Sequence, residues 1–264
     1  KHFQLGNVNL LSGEELPDAV LAYRTYGKLS PEKDNVVLLP TFFTGTHIRN
    51  EGFFGTGRAI DPARYFVISV NLFGNGVSTS PSNVSAPVNG HNFPRISLYD
   101  NVFCQHRLLT EKFGIKKIRL VTGWSMAGCQ AFQWAAQFPK MVEAILPFCA
   151  SARTSLHNFV FLEGVKAALT ADQKWKGGRY DTPPETGLKA FGRVYAGWAF
   201  SQTFFREELF RTLGFETVED FLQDWEKDHL KWDANNLLVK LKTWQTADIS
   251  ANPLYGGNFQ CALS

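Results

Sequence analysis

The apolar residues in the N-terminal half of the chain are grouped in short continuous runs, which is typical of strands that are buried on both faces of a sheet. Four such runs predict strands at Val36–Pro40, Tyr65–Asn71, Ile118–Val121 and Val142–Phe148. An amphipathic pattern at Ser97–Phe113 predicts a helix between the second and the third strand. This alternation of strands and helices indicates an α/β fold with helices on the faces of a parallel sheet.

The N-terminal residues follow a different pattern, because turn residues separate two short strand-like stretches. Val8–Leu11 and Ala19–Tyr26 flank the turn Ser12–Glu15, so we predict that they pair as antiparallel strands. The sheet is therefore predicted to be mostly parallel, with an antiparallel edge.

The C-terminal part of the chain is predicted to be helical, since no run from residue 155 to about residue 252 indicates a buried strand. Helical patterns cover His157–Leu169, Glu185–Phe205, Glu207–Leu213, Thr217–Lys231 and Asp233–Thr246. A long helical insertion after a sheet strand predicts a lid over a functional site. We therefore divide the chain into a core at residues 1–154, a lid at 155–252 and a return to the core at 253–264, where Phe259–Leu263 is predicted to begin a further strand.

The sequence GWSMAG at residues 123–128 lies between a predicted strand and a predicted helix. Gly123 and Ala127 are small residues two positions before and after Ser125, and they allow the sharp turn of a nucleophile elbow, whose usual pattern is G-x-S-x-G. Ser125 is then predicted to be a nucleophile, with the Met126 N–H at the start of the helix as an oxyanion donor. The alternative is that Ser125 only caps an ordinary helix.

The loop after the strand Val36–Pro40 is the second part of the predicted site. Loops at the carboxyl ends of central strands gather ligands in open α/β sheets, and a hydrolase-type site takes its second oxyanion donor from such a loop. The N–H of Phe43 is the candidate donor, although an ordinary strand-to-loop turn would fit this stretch nearly as well. Thr44 and His47 in the same loop, and Trp124 beside the serine, are predicted to contact substrate.

A serine nucleophile needs a general base, and the chain offers no good candidate. In this type of fold the acid and the histidine follow the serine in the sequence. His229 comes after Ser125 but is predicted to lie on a solvated helix face, and His157 is predicted to be structural. We therefore expect the catalytic Asp and His to lie beyond Ser264, in a C-terminal core segment that is absent here or is carried by a second polypeptide.

Composition excludes several classes of partner. The net charge of +3 is too small to indicate nucleic acid or a membrane surface, and no apolar run is long enough to span a bilayer. The four cysteines form no C-x-x-C pair, and their spacing from the histidines indicates no zinc or other metal site. Free cysteines in apolar surroundings favour a reducing compartment, so we expect a cytoplasmic protein.

Four stretches resemble the homoserine O-acetyltransferase family of the α/β-hydrolase superfamily, and the similarity covers nearly the whole chain. They are FTGTH at residues 43–47, AIDPARYFVI at 59–68, GWSMAGCQAFQWA at 123–135, and WKGGRY at 175–180 followed by GL at 187–188. The resemblance implies an α/β-hydrolase fold with a helical lid, which commonly mediates homodimer formation in this family.

The same resemblance implies an acyltransferase without a resident cofactor. Ser125 would take an acetyl or acyl group from a small ester or thioester such as acetyl-CoA and pass it to an alcohol. Arg193 lies within one residue of the lid arginine that binds the acceptor carboxylate in the family. Esterase-like relatives use water as the acceptor, so a carboxylic-ester hydrolase is one alternative, and a non-catalytic binding module is another. The sequence leaves the acceptor and the acyl length open, but lid aromatics such as Phe200, Phe204 and Phe205 favour an apolar alcohol or ester.

Overall fold

The computed structural model describes all residues from Lys1 to Ser264 and has a six-stranded sheet at its centre. The strand order is β1-β2-β4-β3-β5-β6; β1 pairs antiparallel with β2 and β2 antiparallel with β4, whereas the other pairs are parallel. The strands are β1 His2–Asn9, β2 Glu15–Tyr26, β3 Val36–Pro40, β4 Phe66–Val70, β5 Leu120–Trp124 and β6 Ile145–Phe148. The predicted α/β class and the mostly parallel sheet are confirmed.

The central strands form where the sequence has continuous apolar runs. Every residue of β3 and β4 is buried, and the two strands pair in register from Val36 opposite Phe66 to Pro40 opposite Val70. The prediction for the first strand was wrong in position, because β1 ends at Asn9, close to where that strand was expected to begin. Its alternation is interrupted by register shifts around Gly6, which hides the period-two pattern.

Three helices precede β6: α1 His47–Asn50, α2 Leu98–Arg107 and α3 Met126–Gln137. The predicted start of α2 is confirmed by a capping box, since Ser97 Oγ accepts from the Asp100 N–H at 3.1 Å and the Asp100 carboxylate accepts from the Ser97 N–H at 2.8 Å. The chain continues beyond α2 as a π-helical turn before it leaves the helix near Phe113.

The residues after β6 form six helices: α4 Leu156–Thr170, α5 Glu185–Ala199, α6 Gln202–Arg206, α7 Val218–His229, α8 Ala234–Gln245 and α9 Phe259–Leu263. The helix predicted across residues 185–205 is broken, because Phe200 is extended and Ser201 caps a new helix. The strand predicted at Phe259–Leu263 is wrong: Asn258 accepts a hydrogen bond from the Cys261 N–H and begins helix α9. None of the helices has the length and apolar character that a membrane span requires.

The helices after β6 pack onto the carboxyl ends of the central strands. A buried cluster joins Phe43, from the loop after β3, and Met126, at the start of α3, to residues of α4, α5 and α8 such as Leu162, Phe191 and Leu237. This cluster brings the loop after β3 and the start of α3 under the same helical cover.

Candidate active site

Ser125 lies in a sharp turn between β5 and α3, as the elbow pattern predicts. Its backbone has φ 54° and ψ −123°, in the left-handed region that costs a non-glycine residue about 1–3 kcal/mol. Its N–H donates to the Phe148 carbonyl at 2.8 Å, which fixes the turn to β6. The Ser125 side chain makes no capping hydrogen bond, so the structure does not use it as an ordinary helix cap.

The turn leaves no room for larger residues on either side of the serine. A Cβ atom on Gly123 would lie 2.5 Å from the Ala127 Cβ, and a Cβ atom on Gly128 would lie 2.6 Å from the Ala150 Cβ. Real Cβ contacts are almost never this short. Close packing of β5 and β6 against α3 therefore depends on these two glycines.

The backbone N–H groups of Phe43 and Met126, the two predicted oxyanion donors, have no hydrogen-bond partner within the protein. The neighbouring backbone is held firmly: Gln130 Nε2 donates to the Thr41 carbonyl at 2.9 Å, and the Lys240 amine donates to the Phe43 carbonyl. The two N–H groups are thus held in fixed positions with their bonding capacity unused, as oxyanion donors require.

A buried chain of side chains supports this loop from the other side. Trp134 Nε1 donates to Gln105 at 2.8 Å, Gln105 donates to Gln130 at 2.7 Å, and Gln130 reaches the Thr41 carbonyl. The side-chain polar groups of Trp134, Gln105 and Gln130 therefore all have partners, and they hold α2, α3 and the loop after β3 in one arrangement.

A cavity of about 840 Å³ opens above Ser125 and is lined mainly by aromatic side chains. Thr44 and Trp124, which were predicted to contact substrate, are part of its wall. The aromatic residues of the wall are Phe42, Trp124, Phe161, Tyr195, Trp198, Phe200, Phe204, Trp225 and Trp244. This lining is complementary to apolar acyl or alkyl groups.

The polar groups of the cavity do not include an acid. Arg49 reaches the wall from α1 and forms an ion pair with Asp228 of α7. His157 lines the cavity with its ring 4.9 Å from that of Trp198. No Asp or Glu side chain lines this cavity, and Ser125 Oγ hydrogen-bonds to no histidine. No group of three or more metal-ligating side chains is present either.

His229 is not on a solvated helix face, so that prediction was wrong. It is 1% exposed, and Gly192 of α5 packs directly against its ring. Its Nδ1 lies 2.8 Å from the Trp225 carbonyl and its Nε2 has no partner. Burial lowers the pKa of this imidazole and so favours its neutral form. His229 does not line the cavity of Ser125 and packs as part of the lid interior.

Arg193 and His47 do not line the cavity, although both were predicted to contact substrate. Arg193 pairs with Glu219 and Glu226 of α7, so it joins two helices. The adjacent residue, Gly192, has no space for a side chain, because a Cβ atom there would lie 2.8 Å from the Trp225 carbonyl. Neither residue 192 nor residue 193 therefore places a cation in the cavity, where an acceptor carboxylate could reach it.

His47 is bound to Asn71, whose Oδ1 accepts from the His47 N–H at 3.1 Å and whose amide nitrogen lies 3.1 Å from the ring Nδ1. Burial lowers the pKa of this ring. His47 therefore acts in the structure of the loop and not in the cavity wall.

The different positions of the two arginines give a testable expectation. Arg193→Ala should leave kcat and KM for small esters within about twofold of the natural chain, because the ion pairs of Arg193 with Glu219 and Glu226 lie outside the cavity. Arg49→Ala should change KM by about threefold or more, since the cavity wall loses a side chain. Steady-state kinetics with p-nitrophenyl acetate compare the two variants. A larger effect of Arg193→Ala than of Arg49→Ala would restore Arg193 as a substrate contact.

The comparisons with known proteins agree with this geometry. Residues 34–246 match the family model of the alpha/beta hydrolase fold. The chain is 35% identical over 264 residues to a probable esterase of Corynebacterium glutamicum, covering 98% of this chain and 75% of that protein. It is 36% identical over 268 residues to an ethyl acetate hydrolase of Pseudomonas veronii, covering 99% and 76%.

Two further similarities extend the range of relatives. A homoserine O-acetyltransferase of Chlorobium chlorochromatii is 33% identical over 255 residues, covering 90% of this chain and 71% of that protein. The solved structure of the acetyl esterase MekB superimposes with a TM-score of 0.96 at 34% identity, covering 100% of this chain and 77% of the other.

Fold and elbow together define the class: the chain belongs to the α/β-hydrolase family. Within it, the chain belongs to the group that contains both named esterases and homoserine O-acetyltransferases, which confirms the predicted resemblance.

Proposed function

We propose that this protein is a carboxylic-ester hydrolase that cleaves small acetyl or acyl esters through an acyl intermediate on Ser125. The observation that carries the proposal is the combination of a strained serine elbow with an aromatic cavity that offers no free cation to an acceptor carboxylate. Relatives named as esterases support it. The proposal reverses the order of the two activities predicted from the sequence, where transfer to an alcohol came first.

The proposed reaction has two stages. Ser125 Oγ attacks the ester carbonyl carbon while its proton passes to a general base, and the N–H groups of Met126 and Phe43 donate to the oxyanion that forms. The tetrahedral intermediate expels the alcohol, which takes up the proton. Water then attacks acyl-Ser125 in the same way and releases the carboxylic acid and the free serine.

The general base is proposed to come from a segment that packs beside β6, either in the same polypeptide or in a second one. β6 is an edge strand on which Leu146 is 48% exposed and Phe148 is 40% exposed. Beside it, Val37, Leu39 and Leu120 line an apolar groove on the sheet face. An added strand and helix would cover this edge and groove, and would place an Asp and a His at the same end of the sheet as Ser125.

The experiment is an intact-mass measurement after treatment with a serine-reactive fluorophosphonate, together with p-nitrophenyl acetate hydrolysis. The proposal expects one adduct that maps to Ser125, and hydrolysis that needs no alcohol. The absence of both would mean that this chain is a binding module, or that its base must be supplied separately. Adding a polypeptide with the missing acid and histidine distinguishes those two outcomes.

Transfer to an alcohol is the second candidate, because homoserine O-acetyltransferases are among the relatives. Acetyl-CoA is the proposed donor in that case. CoA release that depends on added homoserine, measured beside ester hydrolysis, would favour the transferase. Release without homoserine would favour water as the acceptor.

The lid helices are also proposed to form a homodimer. On α4, Leu156 is 84% exposed and Val160, one turn later, is 63% exposed, so an apolar stripe faces outward. Light scattering should give twice the mass of one chain, and replacing both residues by Lys should give a monomer. A monomeric natural chain at micromolar concentration would contradict the proposal.

A further inference from the structure

Lys240 is a buried lysine without an acidic partner. It lies on α8, is 0% exposed, and forms no ion pair. Its Nζ donates to the carbonyl of Phe43 and lies 3.9 Å from the centre of the Trp232 ring and 5.3 Å from that of the Phe43 ring. Burying an amine in this way is unfavourable, and burial lowers its pKa accordingly. Methionine could fill the same space without that cost.

The partner of Lys240 lies in the loop that carries the proposed oxyanion donor. Three successive carbonyl groups of this loop each accept a hydrogen bond. Gln130 donates to the Thr41 carbonyl, the Gly45 N–H donates to the Phe42 carbonyl at 3.1 Å, and Lys240 donates to the Phe43 carbonyl. The N–H groups of Phe42, Phe43 and Thr44 have no partner within the protein, and that of Phe43 is the proposed oxyanion donor. Of the three groups that donate to the loop carbonyls, only Lys240 comes from the helices that cover the site.

We propose that Lys240 is a positioning residue that fixes the peptide after Phe43 and thereby aims the Phe43 N–H at the reacting carbonyl. Two contacts limit rotation about the backbone bonds of Phe43. Lys240 binds its carbonyl group, and the centre of its ring lies 6.0 Å from that of the Phe191 ring and 5.7 Å from that of the Trp244 ring. The direction of the Phe43 N–H then depends on the position of α8, which carries Lys240. The inference rests on the proposed function, because it assumes that the N–H receives an oxyanion.

The test compares Lys240→Met with Leu237→Ala in the full chain. Methionine keeps the volume and removes the donor, whereas Leu237→Ala disturbs the same buried face of α8 without touching the Phe43 carbonyl. Hydrogen exchange of the amides at residues 41–46 reports the order of the loop directly. Kinetics with p-nitrophenyl acetate and thermal unfolding are measured on the same samples.

For Lys240→Met we expect amides 41–46 to exchange about tenfold faster while the central strands keep their protection. The kcat should fall about 10- to 100-fold with KM within about twofold, since a full oxyanion donor contributes about 10²–10³ in rate. Thermal stability should be retained or increased, because a buried amine is removed. Leu237→Ala should lower the melting temperature without this selective change.

Unchanged exchange at residues 41–46 in Lys240→Met would overturn the inference, as would an unchanged kcat in an active natural chain. If no ester is hydrolysed even when a polypeptide with the acid and the histidine is added, the proposed function fails, and the exchange measurement alone decides whether Lys240 holds the loop. The two failures are therefore distinguishable.

Discussion

Ester hydrolysis should fall by at least about 10⁴-fold in Ser125→Ala, with complete loss of the fluorophosphonate adduct. Alanine removes the atom proposed to form the acyl intermediate but keeps the turn and the two N–H donors. The measurement is kcat for p-nitrophenyl acetate combined with intact mass. Binding of a non-hydrolysable ester analogue should persist, because the aromatic cavity is unchanged.

A second substitution at the same position separates chemistry from strain. Ser125→Gly should be as inactive as Ser125→Ala but more stable than the natural chain by about 1–2 kcal/mol, since glycine adopts φ 54° without the cost that serine carries. Chemical denaturation compares the three proteins. Residual activity of Ser125→Ala above a tenth of the natural rate would show that another residue carries the reaction.

The second large effect is expected at Gly123. Gly123→Ala should destabilise the fold by about 1–3 kcal/mol, because the new methyl group would meet the Ala127 Cβ at 2.5 Å. Activity should fall by about 10²-fold, since separating β5 from α3 displaces Ser125 and the Met126 N–H together. Denaturation curves and steady-state kinetics measure the two effects independently.

The clash is between two specific methyl groups, so a compensating change should relieve it. The double variant Gly123→Ala with Ala127→Gly moves the methyl group from the helix to the strand, and Gly123 has no positive φ that would forbid alanine. We expect at least half of the lost stability to return, which is a coupling energy of about 0.5–3 kcal/mol. Additive effects of the two substitutions would show that the turn fails for another reason.

The sheet and the elbow could be predicted from sequence because their causes are local. A continuous apolar run such as Val36–Pro40 fits a buried strand wherever it lies, and Gly123 and Ala127 flank the serine at fixed spacing. The capping residues Ser97 and Thr217 mark helix starts within four residues of sequence, and both capping boxes are present.

The site walls could not be predicted in the same way, because distant residues determine them. Arg193 turns away from the cavity because Glu219 and Glu226 lie on a helix that packs against its own. The burial of His229 did have a local signal: Phe221, Trp225 and His229 follow one another at four-residue spacing, which is the apolar face of α7. The neighbouring charged residues obscured it.

Lys240 was missed for a related reason. It lies between Leu237 and Leu241 on the buried stripe of α8, together with Trp244, so helical spacing alone indicates that it points inward. Its partner, however, is a backbone carbonyl about two hundred residues earlier in the chain, and no sequence pattern encodes such a contact.

The aromatic lining of the cavity also makes the protein its own optical reporter. Four of the seven tryptophans, Trp124, Trp198, Trp225 and Trp244, line the space above Ser125. Their emission depends on the polarity and the quenching groups around the indole rings, so an occupant that displaces water from this space alters most of the intrinsic fluorescence at once. Ligand occupancy can therefore be followed in the unlabelled chain by excitation of indole, before any product is formed.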